Sequence, residues 1–487
     1  MESELYILVL AHRRPRSLWN VLESLRRQGA LPFAHVWIDG HSHTDERAEK
    51  VQQCRQLAVS FPEAQWISCN GRLGIARMML DGLGAAARQS RNIIVLEDDC
   101  FPTADAVETF RRSLADIDRD PGIYSVYGHY FRVPGEGERF TRFQGWGWAT
   151  TREKLLPILT RLRELLLMSE PDYIAWTSSV LTPQIRARLD VTPGRNVIDV
   201  LGHQFSWDSA TTLLTALRGL EHSKTPKQVV FNSGMGPDSG HFHGGQPWLR
   251  DPPFNIIGED EVWQYFNEPL PEPYRGRTYF GRDELDRKLA AYLPPEPGFF
   301  VELGAHDGLS QSNTLYFERR GWRGVLVEAV EEFAAACRKN RPLAHVVHAA
   351  CVAPDFIGPE VDLHAVGLMS LVVGARAGRG DEEAWLTRAE AVQKLTRSRR
   401  RAPAQTLTNV LAEAALERID LLSLDVEGYE IEVLKGLDFS RFTPTQILVE
   451  ESGEGEIKDF LFQRGYRVVD VLDEHTYTRD VLYRLSA

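Results

Sequence analysis

Gly298-Phe-Phe-Val-Glu-Leu-Gly-Ala-His-Asp-Gly308 is a short apolar strand, Phe299–Leu303, that passes straight into a turn of small residues. Further apolar runs follow at Val325–Glu328, Leu421–Asp425 and Gln446–Glu450, with helical patterns at Asp283–Tyr292 and Ser310–Arg320. Strands that are apolar at every position are buried on both faces, as in a parallel sheet covered by helices. Arg467–Leu472 and Asp480–Leu485 read as a closing antiparallel pair. The expected architecture of this half is a doubly wound α/β sheet, which binds its ligand where the strands end.

Upstream, Pro269, Pro271, Pro273, Gly276 and Gly281 break the pattern and predict an extended linker. Before it the strand and helix alternation recurs: Leu5–Ala11, Ser17–Gln28, His35–Asp39, Ala64–Cys69, Ile75–Arg88 and Asn92–Leu96. The chain therefore reads as α/β with two domains, 1–268 and 283–487, joined by a linker at 269–282. A length of 487 residues and 43% hydrophobic composition suit two independent cores.

A net charge of −12 argues against nucleic acid, whose phosphates need clustered Lys and Arg. Arg397–Arg401 is a basic run and reads as a solvated loop or helix end. The five cysteines, Cys54, Cys69, Cys100, Cys337 and Cys351, are odd in number and contain no C-x-x-C, so neither a disulfide framework nor a zinc cage is expected. Glu2 and Glu4 precede only a short apolar run, unlike a signal peptide, and no stretch approaches ~18 uncharged apolar residues. A cytoplasmic protein with at most peripheral membrane contact is expected.

In the first half, Asn92-Ile-Ile-Val-Leu-Glu-Asp-Asp-Cys100 is a strand that stops in three acids, Glu97, Asp98 and Asp99. Three carboxylates at one strand end repel, and a divalent cation with oxygen ligands would compensate them and clamp a diphosphate. The competing reading is that they favour the start of a helix at Phe101–Ala106. Gln144-Gly-Trp-Gly-Trp148 offers Trp146 and Trp148 on a flexible loop, either to stack on a sugar or to anchor a core. Asp208 opens an amphipathic helix at Ala210–Arg218, either as a helix cap or as the base that takes an acceptor proton.

Together with Asp39-Gly-His-Ser42, Asn70-Gly-Arg-Leu-Gly-Ile-Ala-Arg77 and Asn232-Ser-Gly-Met-Gly-Pro-Asp-Ser-Gly-His-Phe-His243, these pieces resemble the GT-A fold of nucleotide-sugar glycosyltransferases. The Glu-Asp-Asp form resembles the inverting N-acetylglucosaminyltransferase branch. The resemblance places Asp39 near the nucleoside, Arg72 and Arg77 near the diphosphate, and Asp99 on a Mn²⁺ or Mg²⁺ ion, with Asp98 beside it. It makes Asp208 the general base, and His241 or His243 a ligand of the metal or β-phosphate. Asp39 also has a simpler reading as a turn former before Gly40.

In the second half, Gly304 and Gly308 let the backbone approach a ligand, and Glu328 ends the next strand with an acid suited to ribose hydroxyls. A dinucleotide site would show G-x-G-x-x-G, whereas this turn carries an acid, which favours a cofactor without phosphates such as S-adenosylmethionine. Gly298–Val330, and Asp420-Leu-Leu-Ser-Leu-Asp-Val-Glu-Gly-Tyr-Glu-Ile-Glu-Val-Leu-Lys-Gly436, resemble the FkbM-type methyltransferases. That resemblance assigns the cofactor to Glu302, Gly304, Asp307 and Glu328, and places Asp425, Glu427 and Glu430 where methyl meets acceptor. Asp425 or Glu427 would be the base, the other reading being that Asp425 caps a helix at Glu427–Lys435.

The expected protein is a bifunctional enzyme that acts on a glycan or a glycosylated small molecule or peptide. It would take a sugar from a nucleotide donor, here a UDP-sugar, and O-methylate a sugar hydroxyl. A glycan-binding scaffold with an inactive first half, or an NAD-dependent oxidoreductase in the second, are the rivals.

Overall fold

The computed structural model describes residues 3–41, 48–131, 139–189, 207–235, 247–252, 254–294, 297–376, 382–414, 416, 418–451 and 455–486. The chain divides into two compact units, Met1–Glu268 and Pro269–Ala487.

The sheet of the first unit runs Gln65–Ser68, Ala34–Ile38, Ser3–Ala11, Ser90–Glu97, Trp148–Thr151, Ile123–Tyr127, Glu221–Lys224, Arg139–Phe140. Its first four strands are parallel. The strand Ser3–Ala11 is apolar throughout because alternate residues enter two different cores: Leu5, Ile7 and Val9 one, Tyr6, Leu8 and Leu10 the other. The second core is covered by the helices Ile75–Gln89, Arg152–Leu165 and Trp207–Leu217, and the first by Pro15–Arg27 and Ala106–Asp118. The end of this unit returns to its beginning. Trp263 is buried against Trp19 and Phe101, and its indole N–H donates to Asn20 Oδ1 at 3.0 Å. Asn20 Nδ2 in turn donates to the Glu259 carbonyl at 2.9 Å.

The second unit has the sheet order His345–His348, Arg323–Glu328, Phe299–Leu303, Leu421–Leu424, Gln446–Glu451, Arg479–Leu485, Tyr466–Glu474. Five strands are parallel, and Arg479–Leu485 runs antiparallel between Gln446–Glu451 and Tyr466–Glu474. The order reverses beside Phe299–Leu303, so the strand ends there frame a crevice.

Four expectations change. Residues 269–282 contain no helix or strand apart from the start of a 3₁₀ turn, yet they belong to the second unit. Phe280 is buried, Leu270, Tyr274 and Tyr279 pack on its core, and the Tyr274 hydroxyl lies 2.6 Å from Ser310 Oγ. Prolines prevented regular structure there, but aromatic side chains still found a surface. The helix expected at Ser310–Arg320 is only Leu315–Arg319, because Ser312, Asn313 and Thr314 are drawn onto the carboxylate of Glu302. The run Arg397–Arg401 is neither loop nor helix end: most of it lies in the strand Ser398–Gln405 of a separate four-stranded sheet, with Arg400 paired to Glu332 and Arg401 to Glu360. Asp425 caps no helix, since that helix begins at Glu430.

Candidate active sites

In the first unit, Ser3–Ala11 and Ser90–Glu97 are parallel neighbours and end together. Glu97 closes the strand, and Asp98 and Asp99 follow, both buried. The next residues, Cys100–Pro102, pair antiparallel with Val230–Asn232, and the following helix starts only at Ala106. The acids therefore do not cap it. Arg14, just beyond the neighbouring strand, donates from Nη1 to Asp98 Oδ1 at 3.0 Å and to Asp99 Oδ2. The His12 backbone N–H donates to Asp98 Oδ2 at 3.1 Å. Burial, followed by the neighbouring acids, pushes the Glu97 carboxyl up. Burial also raises Asp98, against the pull of Arg14. The counter-charge that three acids require is thus supplied in this structure by a guanidinium.

Asp208 lies in the first turn of Trp207–Leu217, where its Oδ1 accepts the Ser209 N–H at 2.9 Å. Its charge makes a minor addition to the upward push on Glu97, so an acid 111 residues further along the chain lies within electrostatic reach of the cluster. Ser233 N–H donates to the Asp99 carbonyl at 2.7 Å, and a Cβ at Gly234 would strike the Asp99 carboxylate. The segment expected to close the site therefore does begin against Asp99, while His241 and His243 lie outside the described residues.

Other expected residues have different occupations. The Asp39 carboxylate accepts N–H groups from Gly40 at 2.9 Å, Leu73 at 2.7 Å and Gly74 at 2.9 Å, which fixes the turn bearing Arg72. Arg72 is exposed, and its charge helps to lower His12, whose main depressing influence is burial. Arg77 is exposed and paired with Asp81 at 2.7 Å, one turn along its own helix. Trp148 is not on a sugar-facing loop: it is 1% exposed, within a strand and the second core. Trp146 is partly exposed and stacks on Phe131 with ring centres 4.8 Å apart. Gly147 separates the two indoles because its φ is +65° and a Cβ would lie 2.6 Å from Val230.

The second unit holds a pocket of about 610 Å³ at the strand ends, lined among others by Gly304, His306, Glu328, Asp425, Glu427 and Glu450. Gly304 has φ +79°, and a Cβ there would run into the carbonyl oxygen of Asp425, so only glycine lets the ends of Phe299–Leu303 and Leu421–Leu424 approach this closely. The Glu328 carboxylate accepts the N–H groups of His306 at 2.7 Å and Val330 at 2.8 Å. Burial raises its pKa, and its oxygens retain further lone pairs at the pocket wall.

Glu302, Asp307 and Gly308 do not line this pocket. Glu302 accepts from Ser312 Oγ at 2.9 Å, Asn313 N at 2.8 Å and Thr314 Oγ1 at 2.6 Å. The fully buried Arg341 binds the same loop through Ser312 Oγ and Thr314 Oγ1 and pairs with Glu318 at 2.9 Å. Asp307 accepts from Leu309 N, Ser310 N and Ser310 Oγ; burial opposes these bonds, but with His306 they hold the carboxyl well below its usual range. Both acids therefore shape the loop that carries the pocket wall. His348 is held by Glu331 at 2.7 Å and the Ala329 carbonyl at 3.0 Å.

At the other end of the pocket, the surrounding protein and then Glu450 push both Asp425 and Glu427 up, although Asp425 itself is exposed in the pocket. Arg376 pairs with Glu427 at 3.4 Å and lies 3.6 Å over the Trp385 ring. Sequence reasoning missed Arg14, Arg341 and Arg376. For Arg14 a signal existed, since His12-Arg-Arg-Pro-Arg16 directly follows a strand end. Nothing local distinguishes Arg341 or Arg376 from surface arginines.

Residues 6–168 match the model of glycosyl transferase family 2, and residues 302–468 match that of the methyltransferase FkbM domain. No protein of curated function matches the chain. Among solved structures, a mannosyltransferase from Pyrobaculum calidifontis in complex with GDP-Man and Mn²⁺ is 14% identical, with 44% of this chain and 69% of that one covered and a TM-score of 0.26. The glucosyl-3-phosphoglycerate synthase of Mycobacterium tuberculosis, in complex with Mn²⁺ and UDP, is 15% identical over 31% of this chain and 57% of its own, with a TM-score of 0.23. A TehB-like SAM-dependent methyltransferase from Corynebacterium glutamicum is 10% identical over 42% and 87%, with a TM-score of 0.23. These structural likenesses are low, and the two family models carry the assignment of the two halves.

Proposed function

We propose that this enzyme, a glycosyl transferase family 2 domain joined to an FkbM methyltransferase domain, transfers a sugar from a UDP-sugar with inversion and O-methylates a sugar hydroxyl of the same glycan or glycosylated acceptor. The observation that supports the first activity best is the run Glu97, Asp98 and Asp99 at the end of the central strands, with the charge of Asp208 felt there. Asp208 is the base that takes the acceptor proton, and Arg14, on the strand-end acids, and Arg72, on the turn held by Asp39, supply positive charge to the diphosphate. Asp99, with Asp98, offers the hard oxygens that Mn²⁺ or Mg²⁺ takes, and a bound ion would neutralise the leaving diphosphate. Arg14 holds those same oxygens, so ion and guanidinium compete for them. Asp99→Ala is expected to remove the extra thermal stabilisation that Mn²⁺ gives with UDP, since a ligand stabilises only the state it binds. Equal Mn²⁺-dependent shifts in the variant and the natural chain would refute a metal at Asp99.

For the second activity the support is the pocket with Gly304 at its turn and Glu328 on its wall. S-adenosylmethionine would supply an electrophilic methyl group there. Glu328 holds the ribose, the turn at Gly304 admits the cofactor, and Asp425 or Glu427 takes the proton of the acceptor hydroxyl. Glu328→Ala is expected to weaken S-adenosylmethionine binding by about 1.5–3 kcal/mol, the scale for hydrogen bonds to a charged group, with sugar transfer unaffected. Calorimetry decides this: unchanged affinity, or binding of NAD instead, would sink the reading. We place the enzyme in the cytoplasm, in polysaccharide assembly. The five cysteines are free, and among the described residues no helix is long and apolar enough to cross a membrane.

A further inference from the structure

We propose that Asp425, Glu430 and Glu450 form a divalent-cation site at the acceptor end of the second pocket, and that the bound ion receives the hydroxyl oxygen to be methylated. This rests on the methyltransferase reading above and adds to it a metal and a way of holding the acceptor. Asp425 follows Leu421–Leu424, and Glu450 lies in the parallel neighbour Gln446–Glu451, where Leu424 stands opposite Val449. Adjacent strand ends therefore deliver the two acids side by side. Glu430 joins them from the first turn of its helix, and one carboxylate oxygen of each residue lies within 4.8 Å of the others.

A second observation points to a missing partner. Glu430 is 1% exposed; its Oε1 accepts the N–H groups of Val426 at 3.1 Å and Gly428 at 2.9 Å, while its Oε2 is buried with no hydrogen bond. A buried carboxylate oxygen without a donor is costly, and a cation shared with Asp425 and Glu450 would supply the partner it lacks. Arg376 is committed to Glu427, and among the described residues none of the three acids is in an ion pair. The cluster at Asp98 and Asp99 differs, because a guanidinium already lies on it. Three carboxylates without His or Cys suit a hard ion, Mg²⁺, Mn²⁺ or Ca²⁺. Asp425 and Glu450 line the pocket, so the remaining coordination positions face an entering sugar.

The test is Mn²⁺ binding by the full chain without cofactor, followed by the electron paramagnetic resonance signal of the free ion. Glu450→Gln is expected to remove one bound Mn²⁺, or to weaken that site by about tenfold or more, the scale by which even outer ligands affect metal sites. Asp425→Asn serves as the second variant should Glu450→Gln fold poorly. The loss should persist when Asp99→Ala is present in both partners of the comparison, which separates this site from the first unit. Calorimetry on Glu450→Gln should show S-adenosylmethionine bound as in the natural chain. Unchanged Mn²⁺ stoichiometry and affinity in both variants would overturn the cation site while leaving the methyltransferase reading intact. Failure of the natural chain to bind S-adenosylmethionine would overturn that reading instead. Methyl transfer that proceeds undiminished in EDTA would overturn the ion's role with the acceptor.

Discussion

Asp208→Asn is expected to lower the turnover of sugar transfer by about 10²–10⁴, the usual worth of a positioned general base, with little change in affinity for the donor nucleotide. The amide keeps the size of the side chain and can still accept the Ser209 N–H, so the start of the helix Trp207–Leu217 should hold. What disappears is the capacity to take a proton. The measurement is steady-state transfer at saturating donor, paired with the configuration of the new bond. A loss seen only in KM would make Asp208 a binding residue, and retention of configuration would remove it from this role.

Arg341→Met is expected to destabilise the second unit by about 3–5 kcal/mol, the cost of leaving buried charges without their partner. Methionine fills much of the same volume, so the effect would come from charge: Glu302 and Glu318, 4% and 8% exposed, lose the guanidinium beside them, and Ser312 and Thr314 lose a donor. Urea unfolding of the full chain, followed by a probe in each unit, reads this as an earlier transition for the second unit alone. A shift below about 1 kcal/mol would mean that the pair of acids is satisfied some other way.

The strands were legible because burial on both faces leaves an unbroken apolar run; Phe299–Leu303 coincides with its expected bounds, and Ser90–Glu97 extends Asn92–Leu96 only at its ends. Residues at strand ends were legible for the same reason, since a carboxylate that ends such a run has to emerge at the sheet edge. What their carboxylates bind was not. Glu302 and Asp307 fit a cofactor motif, but Asp307 is taken up by N–H and hydroxyl groups of Leu309 and Ser310, and Glu302 by Ser312, Asn313 and Thr314 and by the distant Arg341. Arg14 meets Asp98 and Asp99 across a separation of more than 80 residues, which local pattern does not encode. Trp148 sits in a Gly-Trp-Gly-Trp context that reads as a loop, whereas β pairing with Val95 takes it into the core. The small sheet of Ala350–Cys351, Glu360–Ala365, Leu371–Val372 and Ser398–Gln405 left no signal either, two of its strands being only two residues long and the other two partly exposed.

The return of Glu259 and Trp263 onto Asn20 and Trp19 bears on the order in which the protein can be made. A ribosome delivers the chain from its beginning, and domains generally fold as units during synthesis, the earlier one first. Here the indole that seals the first core arrives 243 residues after the asparagine it binds. Until then Trp19 and Phe101 lack the ring that packs against both. The first unit therefore cannot close until nearly all of Met1–Glu268 has been made, and a chain released before Trp263 would expose an aromatic face to its surroundings.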